Sequence, residues 1–448
     1  MNNGRHHIIQ FTCIMALLSA IVVQGFTGVV KTRPLSPFID QLQVVKQDPT
    51  FEHYRDGSYQ MYLAQNAWKK TGFREFFSRC YNQVAYTLFG IIANKNIVEG
   101  SRHELFLTGH LDDVTGRLLM ERCGSIENAQ AEARKNVEET LALIDTLRQH
   151  GTAFLFVFCP TKPAVYPEYM PEPYQDSLSD FRLTDYYVEQ FKEHGIPHID
   201  FYNHFISIKD SFPYPLYTRA GCHWAESTIP MVDDSIFRKI EAITEYKLPS
   251  INYVDPNLSA RYSNHDCELE TEMDLLFPLH RPKLPRPVVT LTDTLGKDRP
   301  NLLVVGDGYF APILESCFLD AFNQWDYWMY NQNTNSSRPD NKWRYLNQMY
   351  NAGEILEEAD IVMAIYTSNY LFDYMNGFTR SAQELFHKGT TSEQEALELI
   401  KQRIMDNPGW MQAVEQQAKE RGVTVEENLI MNAEYVLKSE KDNQANEK

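Results

Sequence analysis

Three apolar segments of strand length constrain the fold of this chain more than any other feature. They are "TAFLFVFCP" (Thr152–Pro160), "LLVV" (Leu302–Val305) and "IVMAIYTS" (Ile361–Ser368). Continuous apolar runs without polar alternation are typical of strands that are buried on both faces. Segments with helical periodicity lie between them, so the sequence predicts an α/β fold with a doubly wound, mainly parallel sheet.

Several helices are predicted between these strands. Ile126–His150 has apolar residues at helical spacing and is followed by Gly151, and a second helix is expected at Thr184–His194. We predict a third helix at Phe310–Asn323 and a helical segment at His223–Ile243 that Pro230 interrupts. Shorter strands are predicted at "PHIDFY" (Pro197–Tyr202) and "DYWMYN" (Asp326–Asn331), and Val98–Gly116 resembles a small β-hairpin.

The amino terminus carries a long uncharged segment. Ile8–Val30 is free of charged residues, and it would span roughly 35 Å as a helix, which is enough to cross a bilayer. A cleaved signal peptide is the alternative, but the run exceeds a typical signal-peptide core and has no clear cleavage site. We expect an uncleaved anchor with the body on the exported, extracytoplasmic side. Arg5 precedes the run and Lys31 follows it, so flanking charge does not settle the orientation.

The changes in composition predict three parts. Residues 1–33 form the anchor or signal, 34–380 form the α/β domain, and 381–448 form a helical tail. Within the first part of the domain, Pro34–Gln43 is expected to be a linker. The tail is charged and periodic between Glu393 and Ser439, with breaks at "DNPGW" and "ERGVT".

Charge and cysteine content exclude some classes of function. The net charge of −18 argues against binding nucleic acid through bulk electrostatic attraction. The seven cysteines include no C-x-x-C pair, so neither a zinc site nor any other metal or cofactor is expected. In an exported protein some cysteines could pair, although scattered buried thiols are an equally good interpretation.

Three segments carry residues of unusual chemistry where ligands bind in such folds. The first is Gly306-Asp307-Gly308, which follows a predicted strand, and the second is "CPTKPAVYPEY", which contains Lys162 and Tyr166. The third, "YTRAGCHWAE", places His223 beside Trp224. A histidine can act as a general base near neutral pH, but a lone histidine is more often a hydrogen-bonded structural residue.

The ordered set of motifs resembles the SGNH-hydrolase-like acetyltransferases typified by AlgX and AlgJ, in their membrane-anchored bacterial branch. The resemblance rests on the following segments of this chain: "NQVAYTLFGIIANKNIVEGSRHELFLTGHLDD", "FVFCPTKPAVYPEYMP", "GCHW", "VVGDGYF", "WDYWMYNQ" and "ADIVMAIYTSNYLFDYMNGF". It implies acyl transfer to hydroxyls of a cell-envelope or exported polysaccharide such as alginate. It also implies an acetyl supply from a multispanning membrane acyltransferase.

The resemblance assigns the catalytic roles position by position, and two expected side chains are missing. His223 matches the base that activates a serine, whereas the serine position is Gly308 and the position of the orienting aspartate is Gly221. Asp307 matches the residue before the nucleophile. The N–H of Gly308 could still serve as an oxyanion donor, because it needs no side chain. Loss of a triad nucleophile costs on the order of 10⁴- to 10⁶-fold in rate.

The sequence offers no strong candidate to replace the missing serine and aspartate side chains. Ser316 and Cys317 lie about two helical turns beyond Gly308, and Cys222 adjoins His223 but is expected to point away from it. Glu226 and Asp233 are the nearby carboxylates that could orient an imidazole.

Other residues are candidates for ligand contacts rather than for catalysis. Lys162 and Tyr166 are expected either to face the cleft or to be a surface lysine and a packed tyrosine. Trp224 is expected to pack behind His223 rather than to stack on a sugar. Further candidates at strand ends are Tyr330, Asn331, Thr367 and Asn369.

Two functions therefore stay open. The first is an exported O-acetyltransferase, in which His223 could also deprotonate a sugar hydroxyl directly against a bound donor. The second is a catalytically degenerate protein that binds glycan or scaffolds an active partner. The missing nucleophile favours the second, and the motif set favours the first.

Overall fold

We analysed a computed structural model of the chain, which describes residues 3–37, 46–254, 258–259, 261–286, 288–338, 344–388 and 393–447. Most of the predicted linker Pro34–Gln43 lies outside these residues. The chain divides into two compact units. The first comprises 1–108, 219–222 and 267–282, and the second comprises 109–218, 223–266 and 283–448.

The second unit is built on a mixed sheet of seven strands among the residues that the structure describes. In chain order these strands are β1 (Ala153–Cys159), β2 (His198–Asp200), β3 (Leu302–Gly306), β4 (Trp325–Met329), β5 (Asn333–Ser336), β6 (Arg344–Tyr345) and β7 (Ile361–Thr367). Their order across the sheet is β6-β5-β4-β3-β7-β1-β2. Neighbouring strands among β4, β3, β7, β1 and β2 are parallel. At one edge of the sheet, β5 and β6 are antiparallel to their neighbours.

The two faces of the sheet bury alternate residues of the same strands. On one face Phe154, Phe156 and Phe158 of β1 pack in a cluster with residues of helices Ile126–Gln149 and Leu183–His194. On the other face Leu155, Val157 and Cys159 pack with residues of helices Phe201–Ile208 and Ile229–Ile243. Helices on both faces explain why the central strands are apolar throughout.

The carboxyl-terminal segment forms helices with a small core of their own. These helices are Glu393–Met405, Pro408–Arg421 and Val425–Glu447. All three helices contribute buried residues to this core, including Ala396, Ile400, Val414, Leu429 and Ala433. The predicted helical tail is therefore confirmed, as are the mainly parallel α/β sheet and the amino-terminal apolar helix.

The first unit contains that apolar helix, Asn3–Thr27, of which His6–Thr27 has the length and mean hydropathy (2.0) to cross a membrane. Helix Arg74–Phe89 and a hairpin of Ile97–Glu99 with Leu105–Leu107 follow. Leu105, Cys222, Leu269 and Met273 belong to its small apolar core. Among the described residues, no two cysteines form a disulfide.

The described residues also contain shorter helices and strands. The helices are Phe51–Arg55, Ser58–Lys69, Thr108–Val114, Arg117–Cys123, Lys162–Val165, Glu172–Gln175, Glu268–Glu272, Ala311–Leu314, Ala352–Glu358 and Phe378–Lys388. The short 3-10 helices are Ser101–His103, Pro167–Tyr169, Glu226–Thr228, Gly308–Phe310, Phe318–Ala321, Leu346–Gln348 and Ser368–Gly377. Ser250–Val254 pairs with Val288–Thr292, and Leu258–Ser259 pairs with Leu284–Pro285.

Two helix predictions beside the site are wrong in detail. Pro230 stands in the first turn of helix Ile229–Ile243 and so begins the helix rather than interrupting it, because a proline needs no N–H partner there. The predicted helix Phe310–Asn323 is broken into Ala311–Leu314 and Phe318–Ala321. The hydroxyl of Ser316 accepts from Phe318 N, and this bond replaces the helical pattern between the two pieces.

Candidate functional site

The turn after β3 begins with a glycine that the sheet requires. A Cβ on Gly306 would stand 2.5 Å from Cγ2 and 2.6 Å from the carbonyl oxygen of Ile365 on the neighbouring strand β7. Any side chain would therefore push the two central strands apart. Asp307 N donates to Ile365 O at 3.1 Å, so the turn stays registered with β7 for one residue beyond the strand.

Asp307 is a buried structural carboxylate rather than an open reactive group. Its side chain accepts from the backbone N–H of Thr367 (2.7 Å), the hydroxyl of Thr367 (2.5 Å) and the N–H of Tyr309 (3.0 Å). Burial raises the pKa of Asp307, although these donors and the nearby His223 offset part of the rise. Asp307 thus ties the turn to the end of β7 and starts the short 3-10 helix Gly308–Phe310.

The structure brings His223 and Gly308 together, as the catalytic interpretation of the sequence requires. A Cβ on Gly308 would stand 2.9 Å from Nε2 and 3.5 Å from Cε1 of His223. The imidazole therefore lies against the volume that the side chain of a nucleophilic serine would need. Both residues are half-buried, so this point is open to solvent on one side.

The ring of His223 is supported from behind by aromatic side chains. Tyr309 contacts it with ring centroids 4.8 Å apart at 62°, and Trp224 contacts Tyr309 at 5.3 Å. Trp224 is fully buried, so its indole cannot stack on a sugar as a ligand-binding residue would. The packing role expected for Trp224 agrees with this position.

Tyr330 borders the other side of the turn and engages the expected oxyanion donor. Its hydroxyl oxygen lies 3.8 Å from the Cβ position of Gly308, and the Gly308 N–H is hydrogen-bonded to it. Tyr370 donates to the same hydroxyl at 3.4 Å. Burial raises the pKa of Tyr330, and the contact with Tyr370 raises it further, so the phenol stays protonated. The Gly308 N–H therefore already has a partner before any ligand binds.

Lys162 and Tyr166 hold the segment that leads to His223. The Nζ of Lys162 donates to Thr218 O at 2.7 Å, and Leu216 N donates to the Tyr166 hydroxyl at 3.0 Å. Lys162 is only 1 % exposed, so its side chain neither faces an open cleft nor lies on the surface, and both expectations for it are wrong. The two side chains position the backbone of residues 216–218.

Asn331 also braces the local structure. Its Nδ2 donates to Asn376 O (3.2 Å) and to the hydroxyl of Ser381 (3.1 Å). Tyr330 and Asn331 both adopt positive φ angles, so they form the tight turn that follows β4. Of the two, Tyr330 is the one that reaches the turn at Gly308.

Four of the groups considered as substitutes are either bonded to other residues or protonated. Glu226 pairs with Arg286 at 3.2 Å, and Asp233 is buried and accepts from the Ser316 hydroxyl at 2.8 Å. Burial raises the pKa of the Cys317 thiol to about 11, which keeps it protonated. Gly221, at the expected aspartate position, belongs to the first unit.

His265 is a neighbour of His223 that the sequence reasoning missed. The two imidazole rings lie 6.0 Å apart at 86°, and Nε2 of His265 lies 3.3 Å from a carboxylate oxygen of Glu315. His265 comes from a loop without local periodicity, and nothing in the sequence pairs it with a strand end. Only the tertiary fold brings it to this position.

His265 also lines a cavity of about 350 Å³ in the second unit. Ile229, Val289 and Pro312 form its apolar wall. Its polar groups include Glu226, Ser263, His265, Arg286 and Glu315. A cavity of this size is large enough for a small ligand, and it offers polar side chains beside an apolar wall.

The comparisons with known proteins agree with the resemblance found in the motifs. Residues 120–246 match the family model described as "SGNH hydrolase-like domain, acetyltransferase AlgX". No curated protein sequence matches the chain.

Three solved structures resemble the fold at low sequence identity. The O-acetyltransferase domain of Pseudomonas putida AlgJ is 15% identical, with a TM-score of 0.41 over 64% of this chain and 99% of that one. Pseudomonas aeruginosa AlgX is 16% identical, with a TM-score of 0.45 over 69% and 71%. Bacillus cereus PatB1, with a sulfonyl adduct, is 11% identical, with a TM-score of 0.37 over 55% and 92%.

The matched segment contains strand β1. It also contains two of the three segments singled out in the sequence, the one with Lys162 and Tyr166 and the one with His223. The family model does not extend to the turn at Gly308. Over residues 120–246, the chain thus has the sequence features of an AlgX-type SGNH hydrolase-like acetyltransferase domain.

Proposed function

We propose that this chain is an exported, membrane-anchored polysaccharide-binding protein of an O-acetylation system, and that it forms no acetyl-serine intermediate. The observation that carries this proposal is the approach of His223 to Gly308, where the base of the family's triad meets a residue without a side chain. Covalent acyl transfer needs a nucleophile beside the base. Of the substitutes considered in the sequence, Ser316 is hydrogen-bonded to Asp233 and the Cys317 thiol stays protonated.

The cavity beside His265 is the best candidate for the glycan-binding pocket. A pyranose ring has apolar faces and a hydroxylated rim, and the cavity has an apolar wall and polar side chains to match them. The paired groups Glu226–Arg286 and Glu315–His265 offer both hydrogen-bond donors and acceptors to adjacent hydroxyls. Because His265 also adjoins His223, a polymer bound here would pass the turn at Gly308.

The charge of this cavity favours a neutral sugar or an amino sugar over a uronate. Two carboxylates, Glu226 and Glu315, line the cavity, and the guanidinium of Arg286 is already paired with the first of them. A sugar carboxylate would meet this pair and the protein's net charge of −18. We therefore expect neutral oligosaccharides to bind more tightly than alginate oligosaccharides.

Binding measurements with a matched pair of variants test the proposal. Val289→Trp fills the cavity from the strand Val288–Thr292, whereas Val288→Trp makes the same change on the other face of that strand. We expect neutral oligosaccharides to bind the wild type and Val288→Trp with equal affinity and Val289→Trp at least tenfold more weakly (about 1.4 kcal/mol). If no oligosaccharide, neutral or anionic, binds the wild type, the polysaccharide-binding function is wrong.

Direct acetyl transfer is the second candidate, and the exposure of His223 favours it. A half-buried imidazole beside an empty side-chain position could deprotonate a sugar hydroxyl that attacks a bound acetyl donor, supplied by a membrane acyltransferase. Incubation with p-nitrophenyl acetate and an acceptor oligosaccharide separates the candidates. Acetylated sugar that depends on His223, without a covalent protein adduct, would support direct transfer, and its absence would leave the binding function alone.

A further inference from the structure

Helix Arg74–Phe89 in the first unit has its apolar face turned outward. Phe77, Tyr81, Val84 and Leu88 recur at spacings of four, three and four residues, and we call them the apolar stripe. Tyr81 is 74% exposed and Leu88 is 68% exposed. In a helix of a water-soluble domain, this is the face that packs into the core.

The polar side chains of the same helix are the buried ones. The guanidinium of Arg79 makes an ion pair with Asp274 at 2.6 Å and donates to the carbonyl oxygens of Arg33 and Pro34, both at 2.7 Å. Asn82 donates to Met273 O at 3.3 Å. These buried contacts fix the rotation of the helix about its axis, so the apolar stripe cannot turn inward without breaking an ion pair.

The segment just before this helix touches the membrane-length helix. A Cβ on Gly72 would stand 2.2 Å from Ile21 O, and a Cβ on Gly25 would stand 2.4 Å from Lys70 O. Two glycines thus allow close backbone contact between residues 70–72 and the last turns of helix Asn3–Thr27. The helix with the apolar stripe starts two residues after Gly72, and so begins beside the end of the apolar span.

We propose that the apolar stripe lies in the headgroup and acyl-chain boundary of the membrane into which helix Asn3–Thr27 inserts. Its occupant is lipid. The stripe starts next to the end of the span, where that helix leaves the hydrocarbon. Exposed aromatic rings, Phe76 and Phe89, flank it, and aromatic residues concentrate at membrane interfaces. An amphipathic helix of this kind lies in the plane of the interface with its apolar face in the lipid.

Photo-crosslinking of the full chain in lipid nanodiscs tests this placement. p-Benzoylphenylalanine replaces Tyr81 in the stripe or, as the matched control, Tyr435, which is equally exposed at 74% on the carboxyl-terminal helices of the second unit. Irradiation in discs of phosphatidylethanolamine and phosphatidylglycerol should give a lipid adduct by mass spectrometry at position 81, severalfold above the yield at 435. Position 88 should behave like position 81.

Two results would overturn the proposal. One is the lack of a lipid adduct at both 81 and 88, while the thermal midpoint of the labelled proteins matches that of the wild type. The other is crosslinking at these positions in native membranes only to a second protein, which would identify the stripe as a protein interface. Both outcomes are independent of glycan binding by the second unit.

Discussion

The Nε2 atom of His223 lies 2.9 Å from the position that a Cβ on Gly308 would occupy. No Cβ tolerates a neighbour at that distance, so a side chain at 308 requires the imidazole to move. The ring is the far end of a side chain with two rotatable bonds, and a small rotation makes room. The imidazole of His223 therefore lies against the volume that a side chain at position 308 would occupy.

Gly308→Ser should restore a serine–histidine pair. We expect p-nitrophenyl acetate hydrolysis by this variant to exceed that of Gly308→Ala about 100-fold, because both variants carry a Cβ but only one has a hydroxyl. Intact-mass measurement should show an acetyl adduct on Gly308→Ser that disappears when His223 is also changed to Gln. Equal rates for the serine and alanine variants would mean that the base and residue 308 do not form a working pair.

Lys162→Met should destabilise the second unit rather than remove a ligand contact. The change leaves the carbonyl oxygen of Thr218 without its buried ammonium donor, which should lower the free energy of unfolding by about 1–3 kcal/mol. Lys192→Met, at an exposed position on helix Leu183–His194, should change it by less than about 0.5 kcal/mol. Weaker oligosaccharide binding with unchanged stability would instead restore Lys162 as a ligand-binding residue.

Thr367→Val should weaken the attachment of the turn to the end of β7. The substitution removes the hydroxyl donation to Asp307 but keeps the Thr367 N–H at 2.7 Å, so we expect a loss of about 1–2 kcal/mol in unfolding free energy. Thr334→Val is the control, because that threonine is also buried on the sheet and its hydroxyl bond to Arg344 O is long, at 3.4 Å. Urea unfolding measures both. If both variants lose the same unfolding free energy, the hydroxyl bond of Thr367 to Asp307 stabilises the fold no more than the long bond of Thr334 does.

The sequence predicted the sheet because each central strand is a continuous apolar run, and burial on both faces leaves no other arrangement for such a run. The resemblance in the motifs also predicted that His223 and the turn at Gly308 would line one cleft, and the imidazole lies 2.9 Å from the Cβ position of Gly308. The sequence could not predict that Lys162 is buried, because a lysine beside prolines is usually a surface residue. The partner of its ammonium, a carbonyl 56 residues away, is a property of the tertiary fold.

The sequence could not predict the buried face of helix Arg74–Phe89 or the position of His265, for different physical reasons. Helix Arg74–Phe89 has an ordinary amphipathic pattern, and periodicity alone does not reveal which face is buried. Contacts between residues far apart in the chain, such as the ion pair between Arg79 and Asp274, turn the polar face inward. His265 reaches His223 from an irregular loop, where no period relates side-chain direction to sequence spacing.

Asp113 should make the stability of the second unit fall as the pH rises. Burial raises the pKa of Asp113 to about 6, although the hydroxyl of Ser368 donates to it and lowers the value in part. An acid whose pKa is higher in the folded state binds its proton more tightly there. The ionised carboxyl therefore does not lower the free energy of unfolding at pH values below its unfolded pKa of about 4. It lowers that free energy fully at pH values above about 6.

Comparison of the wild type with Asp113→Asn isolates this effect, because the amide oxygen can still accept from Ser368 while the charge is gone. From pH 5 to pH 7.5, the thermal midpoint of the wild type should fall by about 3 °C relative to that of the variant. Ser368→Ala removes the donor that lowers the pKa, so its midpoint should fall further than that of the wild type over the same range. Parallel pH profiles for the wild type and Asp113→Asn would show that this carboxyl titrates alike in the folded and unfolded chains.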